Sequence, residues 1–262
     1  MRIDVSFNAT QLDELQLRDR NVVVIDVLRA STTVAVALAN GAREIIPVAS
    51  IESAVKISGS LFGEVTLRGG ERNGKMIEGF NLGNSPAEYT EATVRGKSII
   101  FCTTNGSVAM SKSRYARRML IGGFVNLTAI VDAIREDGED YLLLCAGKSN
   151  GLRSFSLEDA VCAGMMIHQL SQERHAPVDL TDASRAALAL HKGLGRSVLK
   201  MLRTSDHGMY LTEIGFASDL KLCAAIDSVP VVPVQQATVI KLRKPDGRPA
   251  ESEPETERPQ PS

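Results

Sequence analysis

An acid, an arginine and a run of hydroxyls crowd into one short stretch of this chain, Asp26-Val27-Leu28-Arg29-Ala30-Ser31-Thr32-Thr33. Those residue types in that order suit an anion. A carboxylate can hold a metal ion, an arginine grips phosphate in a planar fork, and the free N–H groups that open a helix attract negative charge. Two further stretches are of the same kind, Thr103-Thr104-Asn105-Gly106-Ser107 and Cys145-Ala146-Gly147-Lys148. A fourth is glycine-rich: Arg68-Gly69-Gly70-Glu71-Arg72-Asn73-Gly74-Lys75, then Gly79-Phe80-Asn81-Leu82-Gly83-Asn84-Ser85-Pro86. Its glycines allow close backbone approach to an anion, and Glu71 and Arg72 supply a charge of each sign. Ser156-Leu157-Glu158-Asp159 places two acids in the first turn of an expected helix. There they either complement the helix dipole or join Asp26 on a hard cation. His207 falls in an expected short polar turn, Ser205-Asp206-His207-Gly208, as a structural or exposed residue or as a general acid.

Two familiar motifs are excluded. Gly69 to Lys75 fits G-x-x-x-x-G-K, but Met76 stands where a Ser or Thr should reach magnesium, and no helix start follows. The haloacid-dehalogenase signature needs Asp-x-Asp after an apolar strand, and Leu28 takes the second acid's place.

These residues need elements to position them. Val22-Val23-Val24-Ile25 reads as a strand covered on both faces, as in a parallel sheet. Strands are expected at 22–27, 44–48, 64–68, 97–102, 118–122, 141–145 and 229–234. Helical patterns fall near 31–40, 51–58, 86–92, 106–115, 125–136, 157–172, 177–191, 196–203 and 219–226. The alternation predicts a three-layer α/β fold, a mostly parallel sheet with helices on both faces. If the strands are parallel, the polar turns at their carboxyl ends share one edge and one crevice. Ser85-Pro86 suits a helix start with a serine cap. Pro230 and Pro233 mark the last strand as an edge.

Composition sets the frame. With 262 residues, 44% apolar and 23% charged, the chain is ordinary globular protein. The length suits one domain over residues 1–243, as a single unit or as two intertwined halves, and a Pro- and Glu-rich tail over 244–262 is expected to be disordered. A net charge of −1 gives no reason to expect nucleic acid or an anionic membrane as partner. The start lacks a signal-peptide core and no apolar run reaches the ~18 residues of a membrane span, so a cytoplasmic protein is expected. Cys102, Cys145, Cys162 and Cys223 are scattered, without metal-binding or disulfide spacing, and read as small core residues.

The residues also occur in a telling order. Val24-Ile25-Asp26-Val27-Leu28-Arg29-Ala30, Gly70-Glu71-Arg72, Gly79 to Pro86, Thr103-Thr104-Asn105-Gly106 and Ser156-Leu157-Glu158-Asp159 follow one another. This set resembles the 2-phosphosulfolactate phosphatases of the ComB family, from about residue 3 to about residue 234. The resemblance implies Mg²⁺-dependent hydrolysis of 2-phospho-3-sulfolactate to 3-sulfolactate and phosphate, a step of coenzyme M biosynthesis. Asp26 with Glu158 or Asp159 would then hold the magnesium, with Glu71 as the next acid. Arg29 and Arg72 would clamp phosphate or sulfonate. Thr103, Thr104 and Asn105 would hold the remaining oxygens, with Ser31, Thr32, Asn84, Ser85 and His207 as further substrate contacts. The nucleophile is a metal-activated water or Asp26 itself. Two positions depart from the family pattern: Asn81 replaces an Asp, and Ser31 a Thr. The alternatives are a phosphatase for another small phosphorylated 2-hydroxy acid, or a non-catalytic binder of an anionic metabolite. A homo-oligomer is left open.

Overall fold

A computed structural model describes residues 1–60, 65–148, 154–172 and 177–243. The expected disordered tail lies outside them. Among the described residues, eleven strands join in one sheet. They are β1 (Arg2–Ser6), β2 (Asn21–Ile25), β3 (Glu44–Pro47), β4 (Thr66–Arg72), β5 (Lys75–Met76) and β6 (Ser98–Cys102), then β7 (Arg118–Gly122), β8 (Tyr141–Cys145), β9 (Asp179–Leu180), β10 (Pro233–Gln236) and β11 (Val239–Leu242). Their order across the sheet is β5-β4-β6-β3-β11-β10-β7-β2-β8-β1-β9.

β4, β6 and β3 are mutually parallel, and so are β7, β2, β8, β1 and β9. The fold is thus α/β with a mostly parallel sheet, as the alternation predicts. Between the two blocks lies an antiparallel hairpin: β3 to β11, β11 to β10 and β10 to β7 each reverse direction. Three reversals leave the two blocks running opposite ways. A shared direction therefore does not bring the polar turns of both blocks to one edge, as the sequence led us to expect.

Curvature does. The helices Ala30–Ala39 and Gly106–Lys112 sit in one apolar cluster with side chains of both blocks. Val34, Leu38, Ala109 and Met110 of the helices meet Val22, Val24, Ile121 and Leu144 of one block and Ile45, Ile99 and Phe101 of the other. Adjacent strands twist by roughly 20–25°, so a sheet this wide wraps around a pair of helices instead of staying flat. The alternate side chains of β2, Val23 and Ile25, point to the opposite layer. They pack there with Phe124, Ile130, Val161 and Met166, from helices Leu127–Asp137 and Leu157–Leu170 and the turn before them. This two-sided burial is why β2 is apolar at every inner position, each such side chain contributing about 1.5–3 kcal/mol of transfer energy.

The smaller departures have local causes. β10 begins at Pro233 and lies inside the sheet, so the prolines mark a strand's start, not an edge; the edges are β5 and β9. The segment expected to be one helix from 177 holds β9, a Thr181 cap accepting from the Ser184 N–H, and the helix Asp182–Leu194. His207 belongs to a helix, Asp206–Glu213, capped by Ser205, and not to a turn. Ser85 starts only a short 3-10 turn, and its side chain makes no cap bond. All four cysteines are buried and free. Among the described residues no helix is long and apolar enough to cross a membrane.

Candidate active site

The turns after β2, β4, β6 and β8 meet the helix Asp206–Glu213 around a cleft of about 430 Å³. Asp26, Arg29, Glu71, Asn84, Thr104, Asn105 and His207 line it, as do Leu28, Asn73, Gly74, Lys148, Asp206 and Tyr210.

Asp26 ends β2 in a tight turn. Its N–H donates to Ser31 Oγ at 2.9 Å, and its carbonyl accepts from the Ser31 N–H at 2.9 Å. Its carboxylate accepts a long bond from the Ala30 N–H, at 3.3 Å. Gly106, from the other block, presses on it: a Cβ there would lie 2.5 Å from Asp26 Oδ2. Only glycine lets the two turns come this close. Burial, helped by repulsion from Glu71 and Glu158, pushes the Asp26 carboxyl up to about 7.

Glu71 is held differently. It accepts the Thr104 N–H at 2.7 Å, the Thr104 hydroxyl at 3.2 Å and the Gly74 N–H at 2.8 Å. Glu158 is buried and bears on both Asp26 and His207. Asp159 turns to the backbone: its Oδ1 accepts the Val27 N–H at 2.9 Å, bracing the Asp26 turn. Burial, then repulsion from Asp26 and Glu158, raises its carboxyl well above the usual range.

Arg29 is almost fully enclosed. Nη1 donates to Asp219 Oδ2 at 2.7 Å, Nη2 donates to the Gly74 carbonyl at 2.7 Å, and the guanidinium lies 4.3 Å from the Phe216 ring centre. Both side chains of the Arg29–Asp219 pair are 1% exposed. Ser85 also points to this pair, its hydroxyl donating to Asp219 Oδ1 at 2.8 Å. Sequence reasoning missed Asp219, which sits in the helix Ala217–Cys223. The one available signal was an acid between Phe216 and Leu220 in a helical pattern.

Several hydroxyls of the motif serve the scaffold. Ser31 Oγ donates to the Val24 carbonyl and Thr32 Oγ1 to the Val27 carbonyl, while Thr103 Oγ1 accepts the Ser107 N–H. None of the three lines the cleft. Asn84 does, and its Oδ1 is buried without a hydrogen-bond partner among the described residues. His207 stacks on Tyr210, and burial lowers its pKa.

Arg72 is not brought to the cleft. β4 runs on to residue 72, and successive strand residues face opposite ways. Glu71 therefore faces the cleft, whereas Arg72 donates to Cys102 Sγ at 3.2 Å and to the Glu71 carbonyl at 2.8 Å. Asn81, the departure from the family pattern, is exposed and accepts the Arg68 N–H at 2.8 Å. No acid is lost from the cleft there.

Among the described residues no three His, Cys, Asp or Glu side chains stand ready around a metal. Magnesium does not need three. It takes one or two carboxylates and fills its octahedron with water and substrate oxygens. Asp26, short of donors and facing Glu71 and Glu158, is a donor set of that kind; Asp159 is committed to Val27.

The family described as 2-phosphosulpholactate phosphatase matches residues 7–238. Curated relatives named "Probable 2-phosphosulfolactate phosphatase" align over nearly their whole lengths. One from Caldanaerobacter subterraneus subsp. tengcongensis is 35% identical over 230 residues, covering 88% of this chain and 93% of its own. One from Carboxydothermus hydrogenoformans is 39% identical over 237 residues, covering 89% and 92%. One from Symbiobacterium thermophilum is 37% identical over 219 residues, covering 84% and 92%.

Proposed function

The chain belongs to the 2-phosphosulpholactate phosphatase family, and from that premise we propose that it is a Mg²⁺-dependent phosphatase releasing phosphate from 2-phospho-3-sulfolactate. The 3-sulfolactate produced would serve coenzyme M biosynthesis. One observation carries this reading: Asp26, with Glu71 and Glu158 bearing on it, shares a cleft with the guanidinium of Arg29. A substrate with phosphate, sulfonate and carboxylate groups does not approach such carboxylates unless a cation lies between them. Asp26 would hold Mg²⁺ together with Glu158, since both oxygens of Glu71 are already engaged by Thr104 and Gly74. A magnesium ion there would supply charge neutralisation on the phosphoryl oxygens.

The chain's own groups do the rest. Arg29 has five N–H donors; Asp219 and the Gly74 carbonyl each engage one of its two terminal nitrogens, and its fork is fixed before substrate arrives. A fixed donor costs no reorganisation when charge builds on the phosphoryl group. Thr104 and Asn105 line the same wall and complete the cradle. The Asp159 bond to the Val27 N–H and the Ser31 bonds to Asp26 keep the turn from relaxing as the substrate's charge enters.

The test is phosphate release from 2-phosphosulfolactate and from a panel of phosphorylated 2-hydroxy acids, with Mg²⁺ or with EDTA. Release should require Mg²⁺, vanish in EDTA and return when the metal is restored. Tight binding with no release would make the chain a binder of anionic metabolites. Release untouched by EDTA would remove the metal.

A further inference from the structure

The cleft is electrically uneven. Asp26 is acted on by Glu71, Glu158 and Arg29, and the charge of Arg29 is already answered by Asp219. Lys148 lies instead on the side formed by the helix Asp206–Glu213, where its Nζ is 3.7 Å from Asp206 Oδ2 and its charge acts on His207.

The backbone of Lys148 is pinned with unusual care for a loop. Gly147 adopts φ +67, and a Cβ there would lie 2.7 Å from the Ser154 carbonyl oxygen and 2.9 Å from Asn8 Cγ. The Lys148 N–H donates to that same carbonyl at 2.9 Å. Asn8, only 2% exposed, donates from Nδ2 to the Ser154 carbonyl at 2.9 Å and to the Lys148 carbonyl at 3.4 Å. A buried asparagine thus clamps the chain on both sides of one lysine. The contact that Lys148 makes with Asp206 is long, and the Asp206 side chain is 66% exposed. Pairs of that sort are worth about 0–1 kcal/mol and yield readily to a better anion.

We propose that Lys148 determines specificity by holding a second acidic group of the substrate, a sulfonate or carboxylate on the carbon skeleton, while the phosphate lies toward Asp26 and Arg29. This rests on the phosphatase reading above. An ammonium is a compact charge with three rotatable donors, suited to a tetrahedral sulfonate as well as to a planar carboxylate. Asp206 keeps the lysine aimed until the acid group displaces it.

The experiment compares Lys148→Met and Lys148→Arg with the wild-type enzyme in Mg²⁺, on 2-phosphosulfolactate and on glycerol 2-phosphate, a secondary phosphate ester without an acid group. Binding of 3-sulfolactate is measured alongside by calorimetry. Lys148→Met should raise KM for 2-phosphosulfolactate about 10- to 100-fold with a smaller change in kcat, the scale of losing one charge-assisted contact. Its constants for glycerol 2-phosphate should stay as in wild type. It should weaken 3-sulfolactate binding by a similar factor, and Lys148→Arg should recover part of both. An unchanged preference between the two esters, together with unchanged sulfolactate binding, would overturn the role of Lys148. Lysine-dependent sulfolactate binding by a wild-type protein that hydrolyses neither ester would leave that role standing and overturn the phosphatase instead.

Discussion

Asp26 and Glu71 face the same cleft from opposite blocks of the sheet, and they are held in opposite ways. Glu71 is saturated, with two backbone N–H groups and a hydroxyl closing on its two oxygens. Asp26 is held loosely, with a 3.3 Å bond from the Ala30 N–H, a glycine pressed against Oδ2, and other carboxylates in view. A buried carboxylate with several donors is stable as it stands. One without them favours the proton or a cation. The contrast separates a wall from a reacting centre: Glu71 shapes the turn of β4 around Thr104, and Asp26 waits for positive charge.

Breaking each acid should expose the difference. Asp26→Asn should lower turnover by ~10³-fold or more, the scale for removing a charge-stabilising group at a reacting centre. Its melting temperature should hold or rise, because the amide escapes both desolvation and the repulsion of Glu71 and Glu158. Steady-state kinetics and a thermal melt check both halves. Near-normal turnover in a folded Asp26→Asn protein would strip Asp26 of its role as metal ligand and as nucleophile together.

Asp219 is a third carboxylate, answered by a full charge instead of donors or a metal. Asp219→Ala leaves Arg29 buried without its counter-ion and Ser85 without its acceptor. Removing one partner of a buried pair typically costs about 3–5 kcal/mol, which urea denaturation reads directly. A loss under about 1 kcal/mol would mean that water or another acid reaches the guanidinium.

Glu71→Gln sharpens the comparison from the other side. An amide presents its own N–H groups where three donors now converge, so one buried donor loses its partner at about 1–3 kcal/mol. The expected kcat/KM loss is about 10- to 100-fold, the usual scale for a supporting residue around a metal site. The signature is that stability falls with activity, whereas in Asp26→Asn only activity falls. Equal behaviour of the two variants would erase the distinction.

How much of this was legible in the sequence depends on how local the cause is. The strands and the run from Asp26 to Thr33 show because apolar runs and turn chemistry are short-range signals. The reversal between the two blocks does not show. Its hairpin turns at Ala237-Thr238, with Ala237 at φ +54, and lacks the Asn-Gly or Asp-Gly that marks such turns. Convergence on one cleft was thus anticipated for the wrong geometric reason. Asp219 was hidden because an acid in a short helical pattern reads as solvated until its tertiary partner is known. The same holds for Lys148, whose backbone is set by Asn8, 140 residues away in the chain. Glu71 and Arg72 lie beyond the strand expected at 64–68, where both could turn to one ligand; the extension of β4 through residue 72 divides them.

That division yields the smallest effect and the most direct check on the side of β4 that faces the cleft. If Arg72 clamped phosphate, replacing its fork by a single ammonium would raise KM strongly, since lysine cannot make the two-pronged contact. In the structure the fork of Arg72 engages Cys102 Sγ and the Glu71 carbonyl, both neutral and both on the strands that carry it. Arg72→Lys therefore gives up hydrogen bonds worth about 0.5–1.5 kcal/mol each at most, within the face that leads away from the cleft. A small fall in melting temperature is expected, with KM for 2-phosphosulfolactate in Mg²⁺ within about twofold of wild type and kcat equally unmoved, as for substitutions away from the reacting centre. A tenfold rise in KM at constant stability would show that residue 72 reaches the substrate, and that Glu71 is not the only side chain of that strand end facing it.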